Sequence, residues 1–274
     1  MKNIDNLLNN HINNIVAYLS NYIDVKDIIR KYKECEYIVT EDKEQELKVG
    51  KITQKLDLKK DLGTVISPVY MENGKYKLIN PKLYLVKSNI TNQDISCVLF
   101  HELMHVASTK QLVKEGEKYY QYSGVQKEEV TMCDKKYNNK AIYLNEGLTE
   151  LVSKVIYDDI YDADYPIIKY VNTKMYKSSY NTIYFLLAFL LLNYFEENKE
   201  VLFDIYFNNN IELLRKTLKE QCNMELEKII DISEIVFKIM TIDNPLYEKM
   251  INKLDKKNKL LNKKVIKQYN TKAL

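Results

Sequence analysis

Histidine is scarce in this chain, with three in 274 residues, and tryptophan is absent. Six Gly and four Pro leave little material for long flexible linkers. The four cysteines, Cys35, Cys97, Cys133 and Cys222, form no Cys-x-x-Cys pair. Their spacing matches neither a zinc ribbon nor a disulfide scaffold, and scattered single thiols suit a reducing compartment. Formal net charge is only +3, so the overall balance gives no reason to expect a nucleic-acid partner. No long hydrophobic run is present either. The most apolar stretch, residues 183–195, falls short of the about 20 residues a bilayer span needs, and Asn193 interrupts its end. It reads as a core helix, with no membrane span expected. The opening Met1-Lys2-Asn3-Ile4-Asp5-Asn6 lacks the apolar centre of a signal peptide. The expectation is a cytoplasmic chain, or a secreted one if a leader has been removed.

With 46% hydrophobic residues, a chain of this length can bury a sizeable core without disulfides. Tyrosine is abundant at 23, which together with much Asn, Ile and Lys reads as compositional bias before it reads as function. Ile4, Leu7, Leu8, Ile12, Ile15 and Leu19 recur at helical spacing, predicting one or two amphipathic helices over 3–33. His11 sits there among asparagines and reads as a surface or packing histidine. Thr64-Val65-Ile66, Val69-Tyr70, Tyr76 to Ile79 and Leu83 to Val86 read as strands, with Asn73-Gly74 as a hairpin turn. From Thr91, a candidate cap with Asp94 in the first turn, the period becomes helical. Residues 111–139 are polar and mixed, and read as loop with short helical pieces. Helices are expected over 141–160, 178–197, 200–220 and 223–240. The Lys-rich tail beyond Pro245 reads as a solvated helix or frayed end, or more sharply as a dock for an acidic partner. The chain thus divides into an N-terminal helical segment (1–60), a small sheet with a following helix (61–110), a helical lobe (111–245) and the tail (246–274).

The residues that carry chemistry are His101-Glu102-Leu103-Met104-His105. Four-residue spacing on a helix puts both imidazoles on one face, where they can hold one metal ion. Glu102 is turned about 100° around the axis from His101, out of the ligand set but beside a bound water. Zinc lowers the pKa of such a water toward ~7, and a carboxylate can take its proton and pass it to a leaving amine. Catalytic zinc sites usually have three protein ligands. No third histidine follows the pair, and His11 lies far upstream, so the third ligand is expected to be a carboxylate. Leu144-Asn145-Glu146-Gly147-Leu148-Thr149-Glu150-Leu151 offers two, four residues apart on a predicted helix. One can ligate while the other accepts the free ring N–H of a ligating histidine. Gly147, lacking a side chain, would let a second helix come close.

HELMH followed downstream by a helical NEGLTE resembles the gluzincins, the thermolysin-like class of zinc peptidases, over residues 80–155. The resemblance implies zinc ligands at His101, His105 and Glu146, a general base at Glu102, and supporting contacts from Glu150 and Asn145. It also implies a sheet edge that binds extended substrate, for which Leu83 to Lys87 is the candidate. Two features depart from the family: a longer stretch between His105 and Glu146, and no later histidine to stabilise an oxyanion. A tyrosine hydroxyl would then serve, Tyr137 first, with Tyr143, Tyr176 and Tyr180 as competitors. The implied fold is α+β and mainly helical, a zincin-like small sheet with its active-site helix followed by a helical C-terminal lobe. The implied function is a peptidase that uses zinc-activated water on a peptide or protein substrate. The alternative is a catalytically inactive zincin-like protein that binds or regulates a partner.

Overall fold

Two helices open the chain, α1 (Lys2–Leu19) and α2 (Lys26–Glu34), as the apolar spacing predicts. The computed structural model describes residues 2–49, 52–58, 62–87, 95–108, 111–130, 141–163, 165 and 179–241. Within them the fold is α+β and mainly helical. His11 lies on the same stripe of α1 as the fully buried Ile15 and Leu19, and is itself buried. It is a packing histidine: Nδ1 lies 2.6 Å from the Tyr161 hydroxyl and Nε2 2.9 Å from Ser96 Oγ.

That burial has a consequence for stability. Removal from water lowers the His11 pKa from 6.5 to about 4, partly offset by a hydrogen bond to the Ser96 backbone. The unfolded chain therefore takes up a proton at pH values where the folded chain does not. The loss begins as pH falls through about 6.5 and is complete near 4, amounting in full to about 3 kcal/mol. Urea unfolding of His11→Asn between about pH 7 and 4.5 should show a shallower pH slope than the parent chain. Equal slopes would place the acid sensitivity elsewhere.

Three strands follow, β1 (Glu36–Thr40), β2 (Glu44–Val49) and β3 (Ile52–Asp57), in a region read from sequence as helical. Then come β4 (Gly63–Ile66), β5 (Val69–Glu72), β6 (Lys75–Leu78) and β7 (Lys82–Val86). The β5–β6 hairpin turns at Asn73-Gly74, both with positive φ (51° and 73°), as a two-residue turn of this hand requires. The sheet order is β1-β7-β4, with β7 parallel to β1 and antiparallel to β4. This corrects the expected substrate strand: Leu83 to Val86 is the middle of the sheet, with both edges paired. The outer strands, among the described residues, are β1 and β4.

The sheet is covered on both faces. Leu83 and Leu85 point into the main core, while Tyr84 and Val86 join Leu58, Ile38, Leu56 and Ile66 on the other side. Against the inner face lies α3 (Ile95–Ala107), buried along almost its whole length. The proposed cap at Thr91 and Asp94 lies outside the described residues. Two side chains of α2 fasten the far end of α3. Lys31 Nζ donates to the Ala107 carbonyl at 3.1 Å, and the Tyr32 hydroxyl donates to that of Leu103 at 3.1 Å.

The stretch after α3 also corrects the sequence reading. It is a three-stranded antiparallel meander, β8 (Gln111–Glu115), β9 (Lys118–Ser123) and β10 (Gln126–Val130), where loop and helical pieces were expected. The register Glu115↔Lys118 and Ser123↔Gln126 closes each hairpin through two residues, Gly116-Glu117 and Gly124-Val125.

Helices complete the chain: α4 (Ile142–Tyr161), α5 (Ser179–Glu197), α6 (Lys199–Phe207), α7 (Ile211–Cys222) and α8 (Leu226–Thr241). The single helix expected over 200–220 is split at Asn208-Asn209-Asn210. Asn209 adopts positive φ (57°) and the Asn210 side chain caps α7 by accepting from Leu213 N at 3.1 Å. Asparagine favours such breaks because its amide competes for backbone partners. The apolar run forms α5, burying Ile183, Tyr184, Leu187, Leu191 and Phe195 in the core. No helix among the described residues is long and apolar enough to cross a membrane. α4 is the central helix, packed against α1, α3, α5, α6 and α8. Gly147 permits its close approach to α5, since a Cβ there would meet Ile183 Cγ2 at 2.5 Å and Tyr184 N at 3.0 Å. The Lys-rich tail lies outside the described residues.

Candidate metal centre

Helices α3 and α4 cross so that the two sequence motifs face each other. His101 and His105 come from α3, Glu146 and Glu150 from α4. One ligand atom from each of His101, His105 and Glu146 lies within 4.8 Å of the others. His105 Nε2 is 3.1 Å from His101 Nε2 and 3.2 Å from Glu146 Oε2, and His101 Nε2 is 3.7 Å from the same oxygen. Ligand atoms around a tetrahedral zinc with bonds of about 2.0–2.1 Å stand ~3.3 Å apart. The three separations bracket that value, so the donor set fits such an ion.

Proton accounting supports the fit. Glu150 Oε2 lies 2.8 Å from His101 Nδ1, in a contact buried on both sides. A carboxylate only accepts, so Nδ1 carries the proton and donates. In the neutral ring that leaves Nε2 with its lone pair aimed at a second imidazole nitrogen and a carboxylate. Such a convergence needs an electrophile within it, either an N–H proton on His105 Nε2 or a bound cation. Burial disfavours a charged His101 imidazole. Hydrogen bonds with Glu146 and Glu150, and the charges of Glu150 and Glu102, outweigh that effect and raise its pKa well above the ordinary value. At Glu146 burial would raise the pKa, but the charge of His105 and hydrogen bonds from both imidazoles outweigh it and hold the carboxyl far below its usual range. The cluster is an environment that favours positive charge, whether proton or metal.

Glu150 contacts a member of the donor group, whereas the Asn145 side chain bonds to the meander. Glu150 fixes the tautomer and orientation of His101, and its Oε2 also accepts from the Tyr165 hydroxyl at 3.5 Å. Partners of this kind typically change metal affinity or activity ~10–100-fold. Glu150→Ala should weaken zinc binding by that factor in a competition titration with a chelator. An unchanged affinity would remove Glu150 from the site. Asn145 reaches toward the meander, where its Oδ1 accepts from Val125 N at 3.1 Å. Next to Asn145, Gly124 N donates to the Ser108 carbonyl at 3.4 Å and Asn209 Nδ2 donates to the Gly124 carbonyl at 2.6 Å. The β9–β10 turn is thus pinned to the end of α3, the start of α4 and the break between α6 and α7.

Glu102 is buried, at 7% exposure, and stands outside the three-donor group, though its charge acts on His101. It lies against the start of β4, where an added Cβ on Gly63 would meet Glu102 Cγ at 2.5 Å. Sequence reading missed both Gly63 and Tyr165. Neither carries a local signal, since each is defined by what it touches across the fold. Of the candidate tyrosines, Tyr137 and Tyr176 lie outside the described residues, and so does the side chain of Tyr180. Tyr143 is half-buried on α4, three residues before Glu146. Comparison of the chain with protein-family models, with curated proteins and with solved structures finds no significant match.

Proposed function

We propose that the chain is a zinc-dependent peptidase of the gluzincin type. The observation that carries this reading is the convergence of His101 Nε2, His105 Nε2 and Glu146 Oε2, with Glu102 buried on the same helix turn. His101, His105 and Glu146 would hold the ion, and Glu150 would orient His101. The ion, when bound, supplies Lewis acidity toward a water and a peptide carbonyl. Glu102 takes the proton from the attacking water and delivers it to the leaving amine nitrogen as the peptide bond breaks. Its buried setting keeps bulk solvent from competing for that proton. The outer edge of β4 begins at Gly63, against Glu102. An extended polypeptide would pair with that edge and bring its scissile bond to the carboxylate, the role earlier sought on Leu83 to Lys87. A tyrosine hydroxyl, neutral at pH 7, donates to the developing oxyanion. Tyr137 is the first choice, and Tyr143 is the competitor placed on the ligand helix.

The test uses the full chain. After exhaustive dialysis and reloading it should hold one zinc and cleave dye-labelled casein, with cleavage lost on chelation and regained with zinc. A chain that takes up no zinc, or that binds zinc and leaves casein and a mixed peptide library intact, overturns the reading.

A further inference from the structure

Among the described residues, three glycines are crowded where a Cβ would be. Gly124 lies against Asn145, Gly147 lies beside Glu146 on α4, and Gly63 lies against Glu102, whereas Gly74 and Gly116 have open space where a Cβ would be. Gly63 stands apart from the other two. A Cβ there would come within 2.5 Å of Glu102 Cγ, 2.9 Å of Cδ and 2.9 Å of Oε1. The carboxylate arm of Glu102 therefore lies flat along the bare backbone of the β4 edge. At Gly147 a Cβ would also approach backbone, the Tyr184 nitrogen at 3.0 Å. At Gly63 the three closest atoms all belong to the end of one side chain.

We propose that Gly63 is a positioning residue for Glu102: the absence of a side chain at 63 sets where the carboxylate rests beside the metal group. The inference rests on the peptidase reading and goes beyond it. The register Gly63↔Leu85 ties this backbone to β7, the middle strand of the sheet. The surface under Glu102 is therefore fixed by the sheet and not by a mobile loop. Adding a methyl at 63 leaves three ways to relieve the contact: α3 moves, β4 moves, or Glu102 rotates. α3 is held by Lys31 and Tyr32 and is buried in the core, and β4 is held by its ladder. Rotation of a side-chain end about sp³ bonds costs least. The outcome is a correctly folded, metal-loaded protein whose proton carrier is out of place. A misplacement of about 1 Å can cost on the order of 10²-fold in rate.

The experiment compares the parent chain with Gly63→Ala, Glu102→Ala and the double variant. For Gly63→Ala the expected result is full zinc content and a kcat on dye-labelled casein about 10²-fold lower, with KM little changed. A second readout needs neither zinc nor activity. In urea unfolding of the metal-free proteins, Gly63→Ala should lower the midpoint in the parent background and have a smaller effect when Glu102 is already Ala. If Gly63→Ala fails to fold while the double variant folds, the collision with Glu102 is established by that rescue. Parent-like kcat in Gly63→Ala overturns the proposal while leaving the peptidase reading in place. Equal loss of midpoint in both backgrounds, or failure of both variants to fold, also overturns it, because the glycine then serves the backbone alone. A parent chain that binds zinc and cleaves nothing overturns the peptidase reading, and the proposal with it.

Discussion

Replacing Glu102 by Gln should leave zinc bound and lower peptide hydrolysis by about 10²–10⁴-fold. The substitution keeps the length and shape of the side chain while replacing one acceptor oxygen by an NH₂ donor, so the group can no longer accept and return a proton. The three donors that converge are on His101, His105 and Glu146, and none of them changes. Because Glu102 is buried against Gly63, an isosteric amide can occupy its space without a new collision. The measurement pairs metal analysis with kcat on the same preparation. Loss of zinc from Glu102→Gln would make Glu102 a ligand, and parent-like turnover would remove it from the reaction. Either result would end the assignment.

His101→Ala and Glu146→Ala should each abolish tight zinc uptake, since two donors would remain where a site of this kind needs three. The two variants differ, however, in the metal-free state. His101 is the close partner of Glu150, whose other oxygen, Oε1, has no hydrogen-bond partner among the described residues. Removing the imidazole leaves a carboxylate at 4% exposure with, among the described residues, the 3.5 Å contact from Tyr165. Breaking a buried pair in this way costs about 3–5 kcal/mol. Glu146 is the more exposed partner, its side chain at 23%, so its loss costs the apo fold less. Chemical unfolding of the chelated proteins should therefore rank the parent first, Glu146→Ala second and His101→Ala last. The reverse order would mean that Glu150 is satisfied by groups other than His101.

The histidine pair was legible in the sequence because its meaning is local. A four-residue spacing on a helix fixes two side chains on one face whatever surrounds them. With only one other histidine in the chain, the search for a third donor narrowed to carboxylates. The structure does bring Glu146 within 3.2 Å of His105 across 41 residues. Strand order was not legible, since it depends on pairing between distant segments. Glu36 to Thr40 is a short run after a charged helix, and nothing local says that it lies parallel to Lys82 to Val86. Without it, Leu83 to Lys87 looked like an edge. The meander was hidden by composition. Its strands mix Leu, Val and Tyr with Lys, Glu and Gln without clean alternation, and they turn on Gly116 and Gly124.

The clasp at Ser123-Gly124-Val125 bears on how the ion would be captured. The two ligand helices are separate in sequence, and in an unfastened chain a metal would have to close the loop between them. Closing a loop of some forty residues carries an entropic cost that would be deducted from the affinity of the ion. Here the β9–β10 turn joins Ser108 at the end of α3 to Asn145 at the start of α4 without help from any ion. Folding would then meet that cost in advance, and the donors would stand together before a metal bound. Such a centre would behave as a preset socket: loading should leave the heat capacity and the far-ultraviolet spectrum nearly unchanged, unlike a site that folds around its ion.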